Sequence, residues 1–434
     1  MPDDRATIDA LPDLVGQEVE LRGWVRNVRS SGKILFVILR DGTGEVQVVF
    51  ARDQVDDVSW ETAESLTHEA SVRVRGVVEA DERAPTGVEV SGREAELIGP
   101  SEGYPIQPKE HGVDFLLEHR HLWLRHPRQR ALMRVRHEVV QAVRDFFYER
   151  GFVLIDTPIL TGAIGEEAGT LFETEYFEEG TAYLAQTGQL YVEAAAAAHG
   201  KVYCFGPTFR AEKSKSPQHL TEFWMVEPEM AWTDSEANME LQEAFVRFLV
   251  RRALERCAGE LETLERDTSR LEAALADRFP RMSYGEAVEA IRGRGGEIEW
   301  GEDLRGETEK VLMEGRASPL FVYDWPAEIK AFYMKENPED PRTVKCDDLL
   351  APEGYGEIIG GSQREDDRDG LLARIREEGL PEEAYDWYLD LRRYGTFPHS
   401  GFGLGVERTV AWIAGAEHVR ECIPFPRLMN RLEP

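Results

Sequence analysis

A two-domain α+β chain, with a small β-barrel ahead of a larger mixed domain, is predicted by three observations. Residues 17–98 read as closely spaced short strands broken by turn residues. Residues 132–150 then carry helical periodicity, and alternating strand-like runs return at 201–210 and 221–232. The length of 434 residues suffices for one large core and one smaller one.

In the first segment, Asp41-Gly42 and Thr43-Gly44 separate two alternating runs, and further β-type runs follow at Ser71–Glu79 and Gly87–Ile98. Five short strands indicate a Greek-key barrel of the OB type. Such barrels hold single-stranded nucleic acid by stacking on their second and third strands. Phe36 and Gln47 lie there, with Arg22, Arg26, Arg29 and Lys33 nearby. The competing reading makes Phe36 an ordinary core residue. The expected boundaries are 1–100 for the barrel, 101–130 for a linker or hinge, and 131–434 for the larger domain. Gly99–Gln107, with two prolines and two glycines, opens the linker.

Within the larger domain, Val135, Val139, Val143, Phe146 and Phe147 form one helical stripe that stops at Gly151. The run FVLIDTPIL follows as a strand in which Pro158 suggests an edge or an interface. Residues from about 235 to 316 are expected as a helical insertion of solvated, charged helices.

Composition bounds the function less than it first promises. A net charge of −31 argues against a nucleic-acid partner, since phosphate binding wants basic surface. Yet nine lysines stand against 42 arginines, so the acidity reads as a property of the whole surface, and a local arginine stripe remains able to bind. The four cysteines form no CxxC pair and fit reduced structural thiols. No apolar run approaches membrane-spanning length, and MPDDRATIDA has no basic, apolar leader, so a cytoplasmic protein with no membrane partner is expected.

The chemistry concentrates in three places. In FGPTFRAEKSKSPQHLTEFWMVEPEMAW, Arg210 and Glu212 end the first strand of a long-looped hairpin, and Phe223, Met225 and Glu227 share one face of the second. A guanidinium forks onto phosphate, a ring stacks on a base, and an inward carboxylate orients a polar substrate. In YGEIIGGSQR, Glu357 and Arg364 lie seven residues apart. Strict alternation would put them on opposite faces, so Gly360-Gly361 must bulge or end the strand if both serve one site. Glu357 there suits Mg²⁺ on nucleotide phosphates, although a structural ion pair would look the same. In SGFGLGVERTVAWI, the spacing of Gly401, Gly403 and Gly405 does not fit a dinucleotide fingerprint, but it places Arg408 in a first helical turn beside an approachable backbone.

Taken in order, these segments resemble class II aminoacyl-tRNA synthetases of the aspartyl, asparaginyl and lysyl subgroup. Leu132–Leu160 resembles motif 1, Lys201–Trp232 motif 2 and Gly401–Ile413 motif 3, and the N-terminal barrel resembles the subgroup's anticodon-binding OB domain. The resemblance covers nearly the whole chain. It implies an antiparallel sheet flanked by helices, a homodimer through motif 1, and an ATP-dependent ligase that works through an aminoacyl-adenylate. It also implies site roles, with Arg210, Glu357 and Arg408 as the catalytic group. Arg210 would hold the α-phosphate of ATP and the substrate carboxylate. Phe223 and Arg408 would sandwich the adenine. Glu212, Gln218, His219, Leu220 and Gly405 would complete the nucleotide site. Glu357 would carry Mg²⁺ with Asp348, because Gly360 stands where the family often has serine. Glu166, or Glu167 beside it, would meet the substrate ammonium, with Gln189 in the same subsite. Phe36 and Gln47 would read the anticodon.

The amino acid implied is L-asparagine and the tRNA partner tRNA(Asn). Aspartyl members carry a lysine where this chain has Val192, and typically an aspartate where it has Glu227. Losing a cation makes the pocket more negative, which suits an amide over a carboxylate. Glu227 would accept from the amide NH₂ and Arg364 would donate to its oxygen. The alternatives are an aspartyl enzyme charging both tRNAs and, in another class, a paralogue that binds tRNA or nucleotide without catalysis.

Overall fold

The computed structural model describes residues 6–433 apart from 85 and 167. It divides into two compact units, Met1–Gly112 and Val113–Pro434.

The first unit is a closed barrel of β1 (Glu18–Ser31), β2 (Ile34–Arg40), β3 (Glu45–Ala51), β4 (Ser71–Ala80) and β5 (Val88–Gly99), in the order β1-β2-β3-β5-β4. Alternation explains its packing: Leu35, Val37 and Leu39 of β2 are fully buried, together with Val46, Val48 and Phe50 of β3. Phe36 therefore points outward. It lies opposite Arg29 and Val49, with the Arg29 guanidinium 5.5 Å from its ring. Gln47, opposite Ile38, shares that outer face and donates to Glu89 at 3.0 Å. This geometry excludes the core reading of Phe36.

The second unit is built on an eight-stranded sheet. Its members are β6 (Val153–Leu154), β7 (Lys201–Phe209), β8 (Glu222–Ala231), β9 (Arg281–Ser283), β10 (Leu320–Pro326), β11 (Thr343–Ala351), β12 (Gly356–Gln363) and β13 (His399–Gly405), in the order β9-β10-β11-β12-β13-β8-β7-β6. Pairing is antiparallel except at the two edges, where β9 and β6 run parallel to their neighbours. The helices α1 (Pro127–Glu149), α2 (Ser235–Arg256) and α3 (Val406–Ala414) pack into one core with it, centred on Val139, Phe147, Phe245, Leu404 and Trp412.

Three expectations need correction. The helix Ser235–Arg256 is not a solvated insertion: Phe245, Val246, Leu249 and Val250 are fully buried in the main core. Its charged residues hide an apolar stripe at helical spacing. The remainder of the expected insertion is tied into the sheet as well, since Arg281–Ser283 is its edge strand. The stripe on α1 is equally intrachain, with Leu132, Val135, Val139 and Val143 at 0–1% exposure. Finally, FVLIDTPIL is two short strands. Leu160–Thr161 leaves the main sheet for a three-stranded one, because Pro158 lacks a ladder donor. The apolar residues left exposed are Val153, Leu154, Ile159 and Leu160. No helix among the described residues is long and apolar enough to cross a membrane.

Candidate active site

The middle strands of the large sheet floor a cavity of about 850 Å³. β8 contributes Phe223, Met225 and Glu227 by strict alternation. β12 contributes Glu357, with Arg364 just past its end, and the parity problem is solved two residues before the glycine pair. Leu349 pairs Ile359 while Leu350 pairs Glu357, so Ile358 is the bulged residue, and the glycines stay in register. The glycines serve a different need. A Cβ on Gly361 would lie 2.5 Å from Gln242 Nε2, and one on Gly401 would collide with Glu229.

Arg210, just past β7, and Glu212 reach the same cavity, as do Gln218, His219 and Leu220 of the hairpin loop. Arg210 lies 3.7 Å from Glu166, and its guanidinium is 5.5 Å from the Phe223 ring. His219 holds Glu212 at 3.2 Å. Arg408 donates to the carbonyls of Glu357 at 2.9 Å and Gln218 at 3.3 Å, tying α3 to the loop and to β12. Gly405, Asp348, Gln189 and Glu166 complete the expected set in one cavity. Glu167 lies outside the described residues.

A divalent cation can be tested against the carboxylates present. A Cβ on Gly360 would lie 3.0 Å from Glu357 Oε1 and 3.6 Å from Asp348 Oδ1, so both groups converge on the space that the missing side chain leaves. The other Asp348 oxygen accepts from Lys330 Nζ at 2.6 Å. Burial pushes the Asp348 carboxyl up to about 8, against the pull of Lys330. Among the described residues no three metal-binding side chains cluster. Two carboxylates open to a phosphate-bearing ligand fit Mg²⁺, which prefers that combination to an all-protein cage.

The amino-acid end of the cavity is more constrained than the sequence implied. The Glu227 carboxylate accepts from Gly188 N at 2.9 Å and from Thr187 Oγ1, with Cys204 Sγ at 3.3 Å. Arg364 gives Nε and Nη2 to Glu229, the latter at 2.9 Å, and Nη1 to Ser362 at 2.6 Å. Val192, at the position where aspartyl members have lysine, is buried with Ala196, Val202 and Cys204.

Several lining residues escaped sequence reasoning. Tyr333 donates to Glu166 at 3.2 Å, and Lys330 packs 4.0 Å from the Trp325 ring centre. Both sit between strands, where no periodicity marks them. Asp303 and Arg305 enter from the segment before the helix Glu307–Met313. Glu229 was legible, since it extends the 223-225-227 alternation by one step.

Comparison with known proteins adds an independent line. Residues 112–429 match the family model described as tRNA synthetases class II (D, K and N), and residues 19–98 match that of the OB-fold nucleic acid binding domain. The chain is 55% identical over 435 residues to an asparagine–tRNA ligase of Chloroflexus aurantiacus, covering 99% of both. It is 54% identical over 434 residues to one of Symbiobacterium thermophilum, again covering 99% of both. Among solved structures, asparaginyl-tRNA synthetase from Pyrococcus horikoshii complexed with asparaginyl-adenylate superposes with a TM-score of 0.97 at 46% identity, over the whole of both chains.

Proposed function

The chain belongs to the class II tRNA synthetases of the D, K and N group, and from that premise we propose that it ligates L-asparagine to tRNA(Asn) at the expense of ATP. The observation that carries this reading is full-length likeness to asparaginyl enzymes together with one cavity that gathers Arg210, the Phe223 ring and the polar groups Glu227 and Arg364.

No protein nucleophile is required. The asparagine carboxylate attacks the α-phosphate in line, pyrophosphate leaves, and the adenylate then passes its asparaginyl group to the terminal ribose of tRNA. Arg210 neutralises charge on the attacked phosphate and holds the incoming carboxylate. Phe223 and Arg408 sandwich the adenine, while Glu212, the Gln218–Leu220 turn and the Gly405 backbone fix the rest of the nucleotide. Glu357 and Asp348 would hold Mg²⁺, which supplies charge neutralisation to the polyphosphate when bound. Glu166 takes the ammonium group, with Gln189 beside it. Arg364, already paired with Glu229, gives a remaining N–H to the amide oxygen rather than a free positive charge. Glu227 reads the amide nitrogen.

The test is amino-acid-dependent ATP–pyrophosphate exchange. Asparagine is expected to support it and aspartate is not. Burying an unbalanced carboxylate costs several kcal/mol, so discrimination of several orders of magnitude is expected without editing. Comparable exchange with both amino acids would replace this reading by a dual-specificity aspartyl enzyme.

Two further assignments belong to the same reading, and the cytoplasm is the compartment it implies. The protein is a homodimer through the segment Leu132–Leu160, with exposed Val153, Leu154, Ile159 and Leu160 supplying the apolar contact. An obligate interface of this kind buries upwards of about 2,000 Å². Light scattering at micromolar concentration is expected to give twice the chain mass, and a monomer would refute the assignment. The barrel reads the anticodon, with Phe36 stacking on one base and Gln47 bonding another. Stacking is worth roughly 1–3 kcal/mol per base. Phe36→Ala is thus expected to weaken tRNA charging and leave exchange intact; a parallel fall in both would refute the stacking role.

A further inference from the structure

The turn that leads into β12 and delivers Glu357 to the cavity bends tightly. Glu353, Gly354 and Gly356 all take positive φ, at 65°, 85° and 71°. Such a turn keeps its shape only where neighbouring groups fix it. Two of those groups belong to the site described above. Gln218 Nε2 donates to the carbonyls of Gly354 at 3.2 Å and Tyr355 at 3.1 Å, and Arg408 donates to that of Glu357 at 2.9 Å.

A third group comes from the helix Glu307–Met313, which the chemistry above does not use. Its Glu309 is half-buried and closes over Gly356. A Cβ on Gly356 would lie 2.8 Å from Glu309 Oε2 and 3.3 Å from Gln218 Nε2, so only glycine lets the two side chains meet there. Burial pushes the Glu309 carboxyl up to about 7, and Glu357 adds to the rise, while Arg408 and the backbone N–H of Glu357 oppose it. An acid set beside another acid is a poor choice for packing alone. What it offers that an apolar side chain cannot is an acceptor for that backbone N–H.

We propose that Glu309 is a positioning residue for the nucleotide end of the cavity, its carboxylate bracing the Gly356–Glu357 backbone so that Glu357 and the Gln218–Leu220 turn stand in place before ATP arrives. The proposal rests on the ATP-dependent ligase reading above. Its reach is confined to one end of the site. Glu227 and Arg364, at the asparagine end, are held by Gly188 and Glu229 instead.

The experiment is asparagine-dependent pyrophosphate exchange on wild type, Glu309→Met and Glu309→Gln, with KM measured for ATP and for asparagine. Melting temperatures and amide hydrogen exchange across residues 354–358 are recorded alongside. Glu309→Met keeps the length of the side chain and loses the acceptor. KM for ATP is expected to rise about tenfold, with KM for asparagine within about twofold of wild type and faster hydrogen exchange at 354–358. In Glu309→Gln the amide oxygen still accepts, so KM for ATP is expected to stay within about threefold of wild type. A merely structural role would lower the melting temperature and kcat of both variants without separating the two KM values. An unmoved KM for ATP in folded Glu309→Met overturns the proposal, and so does Glu309→Gln as impaired as Glu309→Met. Should Glu309→Met not fold, Glu309→Ala is measured in its place and held to the same outcomes. Wild-type protein without asparagine-dependent exchange would refute the ligase reading instead, so the two failures are distinct.

Discussion

Arg210→Ala is expected to lower asparagine-dependent pyrophosphate exchange by about 10²–10³-fold, the usual cost of removing one preorganised charge-stabilising donor. Arg210 stands where the hairpin strand ends, with Glu166 at 3.7 Å and Phe223 beneath it, so its guanidinium is held before substrate arrives. Its Nε is buried without a protein partner, a donor left for a ligand oxygen. Because it lines a cavity and supports no core packing, the melting temperature of the variant should stay close to wild type. Arg210→Lys is expected to restore little, since a single ammonium cannot fork onto two oxygens. A loss smaller than tenfold in a folded Arg210→Ala protein would remove the residue from the catalytic group.

The largest loss of stability is expected at Arg392→Ala. Arg392 and Glu193 are both at 0% side-chain exposure and 2.7 Å apart, so truncating the cation strands a carboxylate in the interior. Breaking a buried pair from one side costs about 3–5 kcal/mol, far more than an exposed pair contributes. Arg392 Nε also donates to the Glu365 carbonyl at 2.8 Å, which would be orphaned too. A clear fall in the thermal midpoint is expected. Replacing Arg376, whose partner Glu382 is exposed, is expected to leave the midpoint nearly unchanged. Equal midpoints for the two variants would show that the network beneath the site carries no net stability.

Most residues of the candidate site were legible because strands carry their own geometry. Alternation put Phe223, Met225 and Glu227 on one face before any partner strand was known, and one more step would have reached Glu229. Helix periodicity was equally local, yet it misled over what lay opposite. The α1 stripe reads the same whether it meets a second subunit or its own sheet, and the charged helix Ser235–Arg256 hid a fully buried face. Lys330 and Tyr333 had no periodicity to announce them, and their place in the cavity comes from a chain path between strands.

Residue order was enough for the two-domain α+β class, for the strands that floor the cavity and for the residue types that line it, because backbone period and side-chain chemistry are properties of near neighbours in the chain. The tertiary structure alone decided which oxygen faces which donor. The bulge at Ile358 sets which face Arg364 joins. The Glu229 pair offsets its charge, and Glu193 orients Gln189 from beneath. Arg364 and Glu229 lie far apart in sequence, and Glu193, although on the same helix as Gln189, is itself held by Tyr388, Arg392 and His399 from a distant segment. Such groups are brought within about 3 Å, the range at which a hydrogen bond acquires direction.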